Sequence, residues 1–223
     1  MFPHRVLRPY LALHHHPPNH FFMQAIIIRH LSNDPVMKSL VDKIPFRELG
    51  TNSQGVYLDL LGSIISQQLS IKVAAVIESR FLALFPDGKP HPELLLAKDL
   101  DTLRTAGLSK QKAAYLQNVA DFFQRENLLE KDWSGMDNDE IIRYLTQIKG
   151  VGKWTVEMIL MFSLSRPDVL PLDDLGIRMG IANLYNLIET GKAMHQRMTE
   201  IAAAWQPYRS YACLYLWRHK DGA

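Results

Sequence analysis

The sequence predicts an all-α fold, on three observations. From Asp34 to the C-terminus, apolar residues recur at helical spacing almost without a break. No segment alternates with a clear period of two, apart from a weak QAIII at 24–28. The breaks between periodic segments carry the glycine, proline, serine and aspartate that mark helix ends. With 47% hydrophobic and 22% charged residues, the 223-residue chain has the composition of a globular protein and excludes disorder throughout.

Residues 1–22 differ from the rest. They are rich in histidine and proline, lack any period, and precede a second methionine, Met23. They are expected to form a disordered extension ahead of a core spanning 23–220. His14, His15, His16 and His20 are the one set there with metal-binding chemistry, and a flexible tail is the preferred reading of them.

Pro35 suits the first turn of a helix, with VMKSLVDKI continuing it. VYLDLLGSIISQQLSIKVAAVIESRFLALFP reads as two helices about the SQQLS segment. Gly88, Pro90 and Pro92 mark a loop, HPELLLAKDLDTLRTAG gives two short helices closed by Gly107, and Ser109 caps a helix striped by Ala113, Leu116, Val119 and Phe123. EKDWSGMDND connects to EIIRYLTQI; KGVGK interrupts the pattern and WTVEMILMFSLS resumes it. RPDVLPLDD forms a loop before LGIRMGIANLYNL, and two further helices bring the total to about ten.

A net charge of +2, from 25 basic and 23 acidic residues, argues against an indiscriminate electrostatic grip on nucleic acid, so any such binding must be local and geometric. The single cysteine, Cys213, excludes an intramolecular disulfide, a four-cysteine iron–sulfur cluster and a cysteine-rich zinc site. No apolar run reaches the roughly 18 residues of a spanning helix, and the N-terminal runs are too broken for a signal peptide.

Three constellations carry chemistry. Lys149-Gly150-Val151-Gly152-Lys153 forms a tight turn between helices, whose N–H groups and lysines suit a phosphate; a plain turn explains it as well. Asp173 and Asp174 stand where a helix begins, so an N-cap role, or an ion pair with Arg178, accounts for an aspartate there. Trp154, Trp205, Tyr208, Tyr211, Tyr215 and Trp217 are explained individually by core packing.

Taken together, IKGVGKWTVEMIL and RPDVLPLDDLGIR resemble the signature of the helix-hairpin-helix base-excision DNA glycosylases, and LGSIISQQLSIKVA and WQPYRSYACLYLWR resemble two further segments of that family. The resemblance spans roughly residues 55–220 and points to the alkylbase branch, 3-methyladenine DNA glycosylase II, in a short all-helical form that lacks the β-rich N-terminal domain of longer members. It implies a two-lobed fold with a central cleft and the hairpin near 145–155.

It further implies Asp174 as the catalytic carboxylate, with Asp173 one position away, and Trp154 and Trp205 lining the base pocket. Gln68 matches the residue that fills the gap left by a flipped base, with Leu69 beside it, and Gln67 matches a DNA contact. Lys149, Gly150, Val151, Gly152 and Lys153 match the hairpin that grips DNA. The carbonyls of Thr146, Ile148 and Val151 match a structural Na⁺ or K⁺ site, no other cofactor being required.

Where relatives that also cut the backbone carry lysine, this chain has Trp154, which implies a monofunctional enzyme leaving an abasic site. Glu157, one turn further, is expected at the surface or in the helix's first turn, an approach to the base pocket being the alternative. The implied substrate is duplex DNA containing 3-methyladenine or 7-methylguanine, acted on by a monomer in the cytoplasm or nucleoid of a bacterium or the nucleus of a eukaryote. Excision of other damaged bases, and a non-catalytic helix-hairpin-helix DNA-binding protein, are the alternatives.

Overall fold

The computed structural model describes residues 20–51, 53–220 and 222. Among these the chain forms twelve α-helices and one 3-10 turn, with no strand. In order they are α1 (His20–Leu31), α2 (Pro35–Val41), α3 (Val56–Ser66), α4 (Ile71–Leu82), the turn Pro86–Gly88, α5 (Pro92–Leu96), α6 (Leu100–Arg104), α7 (Lys110–Arg125), α8 (Asn138–Leu145), α9 (Lys153–Phe162), α10 (Leu175–Leu184), α11 (Gly191–Ala203) and α12 (Arg209–Lys220).

Two expectations are corrected at the N-terminus. The QAIII segment is helical, because Ile27 and Leu31, four residues apart, both turn into the core, and burial outweighs the strand preference of branched residues. Helix α1 also begins at His20, so residues 20–22 belong to the fold. Residues 1–19, and with them His14, His15 and His16, lie outside the described residues.

The helix starts are where cap chemistry puts them. Asp34, Ser70, Asp99, Ser109, Asp137 and Asp174 each accept a backbone N–H from the first turn that follows. At Asp137 the Glu140 side chain accepts the Asp137 N–H in return, closing a capping box.

Packing divides these helices into two lobes. In one, α3, α5 and α6 pack around α7, with α4 on α3. In the other, α12 packs on α2 and α10, with α1 and α11 at its flanks. The α8–α9 pair bridges them, α9 lying against α3. A single apolar core runs through both lobes, from Ile64 and Leu116 to Leu160, Ile177 and Leu216.

Asp34 ties the second lobe together. Its Oδ1 accepts the N–H groups of Val36 and Met37, while its Oδ2 accepts the Tyr185 hydroxyl and the Trp205 indole N–H. Burial opposes ionisation of Asp34, but the bonds from Tyr185, Trp205 and the backbone outweigh it and hold the carboxyl below its ordinary value.

The Asp34→Ala variant loses a cap and leaves a buried indole N–H unpaired, so urea unfolding near neutral pH is expected to show a loss of about 2–4 kcal/mol. Because the folded-state pKa lies below the unfolded one, this stabilisation is present above the unfolded value of about 3.9 and is lost as pH falls through the folded value. The gap between wild type and variant is therefore expected to narrow in acid.

Candidate active site and DNA interface

The turn between α8 and α9 has glycine where only glycine fits. Gly150 has φ +105°, and a Cβ there would lie 2.3 Å from the Tyr115 ring of α7. Val151 is buried and donates its N–H to the Ile148 carbonyl, and Asn118 of α7 donates to the Lys149 carbonyl. Gly152 precedes α9 with no side-chain cap, and a Cβ there would meet nothing within 4 Å. No side chain at Gly152 covers the start of α9, which exposed Lys149 and Lys153 flank.

Asp174 begins α10 and draws three helices to one carboxylate. Oδ1 accepts the Ile177 N–H at 2.9 Å and the Trp217 indole N–H, from α12, at 2.9 Å. Oδ2 accepts the Trp154 indole N–H, from α9, at 3.0 Å. These donors take the carboxylate in place of the Arg178 ion pair that helical spacing allows. Trp217 lies 6.0 Å from Phe162, with the rings 31° apart. Trp154 is 39% exposed, and Phe162 of α9 and Leu175 and Met179 of α10 are exposed as well. Asp173, next in sequence, is exposed.

A recess of about 240 Å³ opens next to Phe162, lined also by Met158, Ser163, Ser63, Asp59 and Glu48. The Asp59 carboxylate at its rim accepts the hydroxyls of Ser53 and Ser163.

Trp205 is not at this site. It is fully buried and bonded to Asp34, because the turn that carries it packs into the second lobe. The second indole on Asp174 comes from Trp217 instead. A signal for this lies in Gly176 and Gly180, four residues apart on α10. A Cβ at Gly176 would lie 3.0 Å from Trp217, and one at Gly180 would lie 3.5 Å from Leu216, so these glycines bring α12 close.

Glu157 also departs from expectation. It is only 3% exposed, its Oε1 lies 3.6 Å from the Lys153 ammonium, and its Oε2 has no hydrogen-bond partner among the described residues. Burial pushes its carboxyl up to about 7, against the attraction of Lys153 and with the charges of Asp173 and Asp174 adding to the rise.

The SQQLS segment forms the α3–α4 turn. Gln68 is exposed at its apex with φ 59°, while Gln67 and Leu69 are half-buried. Lys112 of α7 donates to the carbonyls of Ile65 and Gln67, both at 2.7 Å, and so anchors the turn. Gln67 and Gln68 therefore stand on a different element from Asp174, at a turn held, like the hairpin, by α7. At the hairpin the carbonyls of Thr146 and Ile148 follow the C-terminal end of α8, the negative end of its dipole, which suits a cation; the Ile148 carbonyl already accepts Val151. Among the described residues, no group of three His, Cys, Asp or Glu side chains is placed to hold a metal.

Residues 61–207 match the family described as HhH-GPD superfamily base excision DNA repair protein. The chain belongs to that superfamily. It is 39% identical to DNA-3-methyladenine glycosylase 1 of Schizosaccharomyces pombe over 73% of this chain and 71% of that protein. Among solved structures, it resembles the S. pombe 3-methyladenine DNA glycosylase in complex with abasic DNA, with TM-score 0.76, 34% identity, and coverage of 88% of this chain and 97% of that one. It also resembles the DNA-3-methyladenine glycosidase of Bacillus halodurans, with TM-score 0.72, 35% identity, and coverage of 85% and 86%.

The hairpin turn offers a direct check. Gly150→Ala forces a side chain into left-handed backbone and against Tyr115, and is expected to cost about 2–4 kcal/mol in thermal or urea unfolding. Gly152→Ala, which points into open space, is expected to cost less than about 1 kcal/mol.

Proposed function

We propose that this protein is a monofunctional DNA glycosylase of base excision repair that flips alkylated purines, 3-methyladenine and 7-methylguanine, out of duplex DNA and hydrolyses their N-glycosidic bonds. The observation that carries this reading is the Asp174 carboxylate, fixed by two indole N–H groups at the edge of an exposed aromatic surface.

Cleavage of an N-glycosidic bond develops positive charge on the sugar, and a carboxylate already fixed in place stabilises that charge without reorganising. Three hydrogen bonds fix Asp174, so its negative charge stands where the anomeric carbon arrives. The same carboxylate orients the attacking water and takes its proton. Methylation at N3 or N7 makes the base a cation and a good leaving group. The faces of Trp154 and Trp217 attract such a cation by about 1–2 kcal/mol once water is excluded. Trp154 occupies the position where an amine would be needed for Schiff-base chemistry, so the product is an intact strand with an abasic site.

In this reading, the hairpin N–H groups with Lys149 and Lys153 hold a backbone phosphate, and exposed Gln68 enters the gap left by the flipped nucleotide. The carbonyls of Thr146, Ile148 and Val151 would hold a Na⁺ or K⁺, which would add positive charge at the hairpin. The protein acts as a monomer, in the cytoplasm or nucleoid of a bacterium or the nucleus of a eukaryote; no described helix is long and apolar enough to cross a membrane.

Single-turnover release of free bases from methylated duplex DNA tests the reading. Asp174→Asn is expected to lose about 100-fold or more in rate while binding the same DNA. Trp217→Phe keeps a ring but removes one donor to a charged group, and is expected to lose about 10- to 100-fold. Release by neither wild type nor variant, with DNA binding intact, would establish the non-catalytic alternative or a different lesion.

A further inference from the structure

The chemistry just described leaves Glu157 unused. A buried carboxylate with one unpartnered oxygen and one long ion pair is poorly stabilised in its charged form. Its cation, Lys153, is the first residue of α9, with a side chain 59% exposed and free to swing toward solvent. The other charges acting on Glu157 are those of Asp173 and Asp174 at the start of α10, and Glu157 in turn helps to raise the buried thiol of Cys213 in α12. Of the helices packed on α9, α3 contributes Asp59, engaged by Ser53 and Ser163 at the opposite end of α9. Helix α8 contributes Asp139, Glu140 and Arg143, all exposed.

We propose that Glu157 is an internal counter-ion that holds Lys153 in the free protein and exchanges it for a proton when DNA binds. The ammonium moves to a backbone phosphate at the hairpin, and the Glu157 carboxylate takes a proton from solvent to become a neutral acid. The inference rests on the DNA-binding reading above and deepens it: Glu157 is a positioning residue that acts through Lys153.

The energetics follow from the same geometry. In free protein Glu157 titrates at about 7, so it is close to half-protonated at neutrality. A phosphate that draws Lys153 away removes the attraction favouring the carboxylate and adds a negative charge to those of Asp173 and Asp174. Both changes raise the pKa, so the complex binds more protons than the free protein. By linkage, affinity for DNA falls as pH rises through and above about 7, and is insensitive below it, where Glu157 is already neutral. Each pKa unit of rise corresponds to about tenfold in affinity across the transition.

The test is calorimetry of wild type with duplex DNA at about pH 7.5 in two buffers of unlike ionisation enthalpy, together with binding isotherms from about pH 6 to 9. Wild type is expected to take up a fraction of a proton and to weaken about tenfold more over that range than Glu157→Gln, which takes up correspondingly less. Lys153→Gln alters an exposed side chain and is expected to lose the uptake as well, which provides the comparison if the Glu157 variant does not fold. No uptake by wild type, or equal uptake by wild type and both variants, overturns the proposal. Failure of wild type to bind duplex DNA under any of these conditions overturns the DNA-binding reading, and this inference with it.

Discussion

The Asp174 carboxylate is the point on which the site depends. Three donors from three helices converge on it: the Ile177 N–H of α10, the Trp154 indole of α9 and the Trp217 indole of α12. Each bond has a separate structural precondition. The cap needs the α10 start that Pro171 and the preceding loop deliver. Trp154 needs the hairpin to close on Gly150. Trp217 needs two glycines on α10 to admit α12. Loss of any one leaves the carboxylate anchored on fewer sides.

Asp34 shows the same chemistry put to another use. It too caps a helix and accepts an indole N–H, here from Trp205, with the Tyr185 hydroxyl alongside. The difference is exposure. Trp205 is wholly buried, so that arrangement holds α2, α10 and the end of α11 together. Trp154 faces solvent, so its partner carboxylate remains within reach of a ligand. Aspartate with tryptophan therefore identifies neither site by itself; the apolar surface left open around one of them does.

What the sequence made legible was local. The glycines of the hairpin, the serine and aspartate caps and the SQQLS turn announce themselves within a few residues, because left-handed backbone and unpaired N–H groups demand particular side chains. Asp174 was legible for the same reason, and the shared motif narrowed the choice between it and Asp173. Trp205 and Trp217 were harder to separate. They are twelve positions apart near the chain end, and which of them meets Asp174 depends on how α12 crosses α10. Glu157 looked like a surface residue because a charged side chain near a helix start is usually exposed. Its burial comes from the packing of α9 against α3, α8 and the start of α10, which no short window records.

Lys112, Tyr115 and Asn118 follow one another at three-residue intervals along α7. The first grips the end of α3 beside Gln68, the second lies against Gly150, and the third holds the Lys149 carbonyl. Both turns are thus gauged from a single rigid rod, with about 9 Å of helix axis between the first and last of these fixings. A helix cannot stretch to accommodate a ligand, so the two turns behave as the jaws of a caliper with a set opening. On the DNA-binding reading proposed above, a duplex contacted by both turns would have to fit that opening, and base steps that bend readily would fit it best.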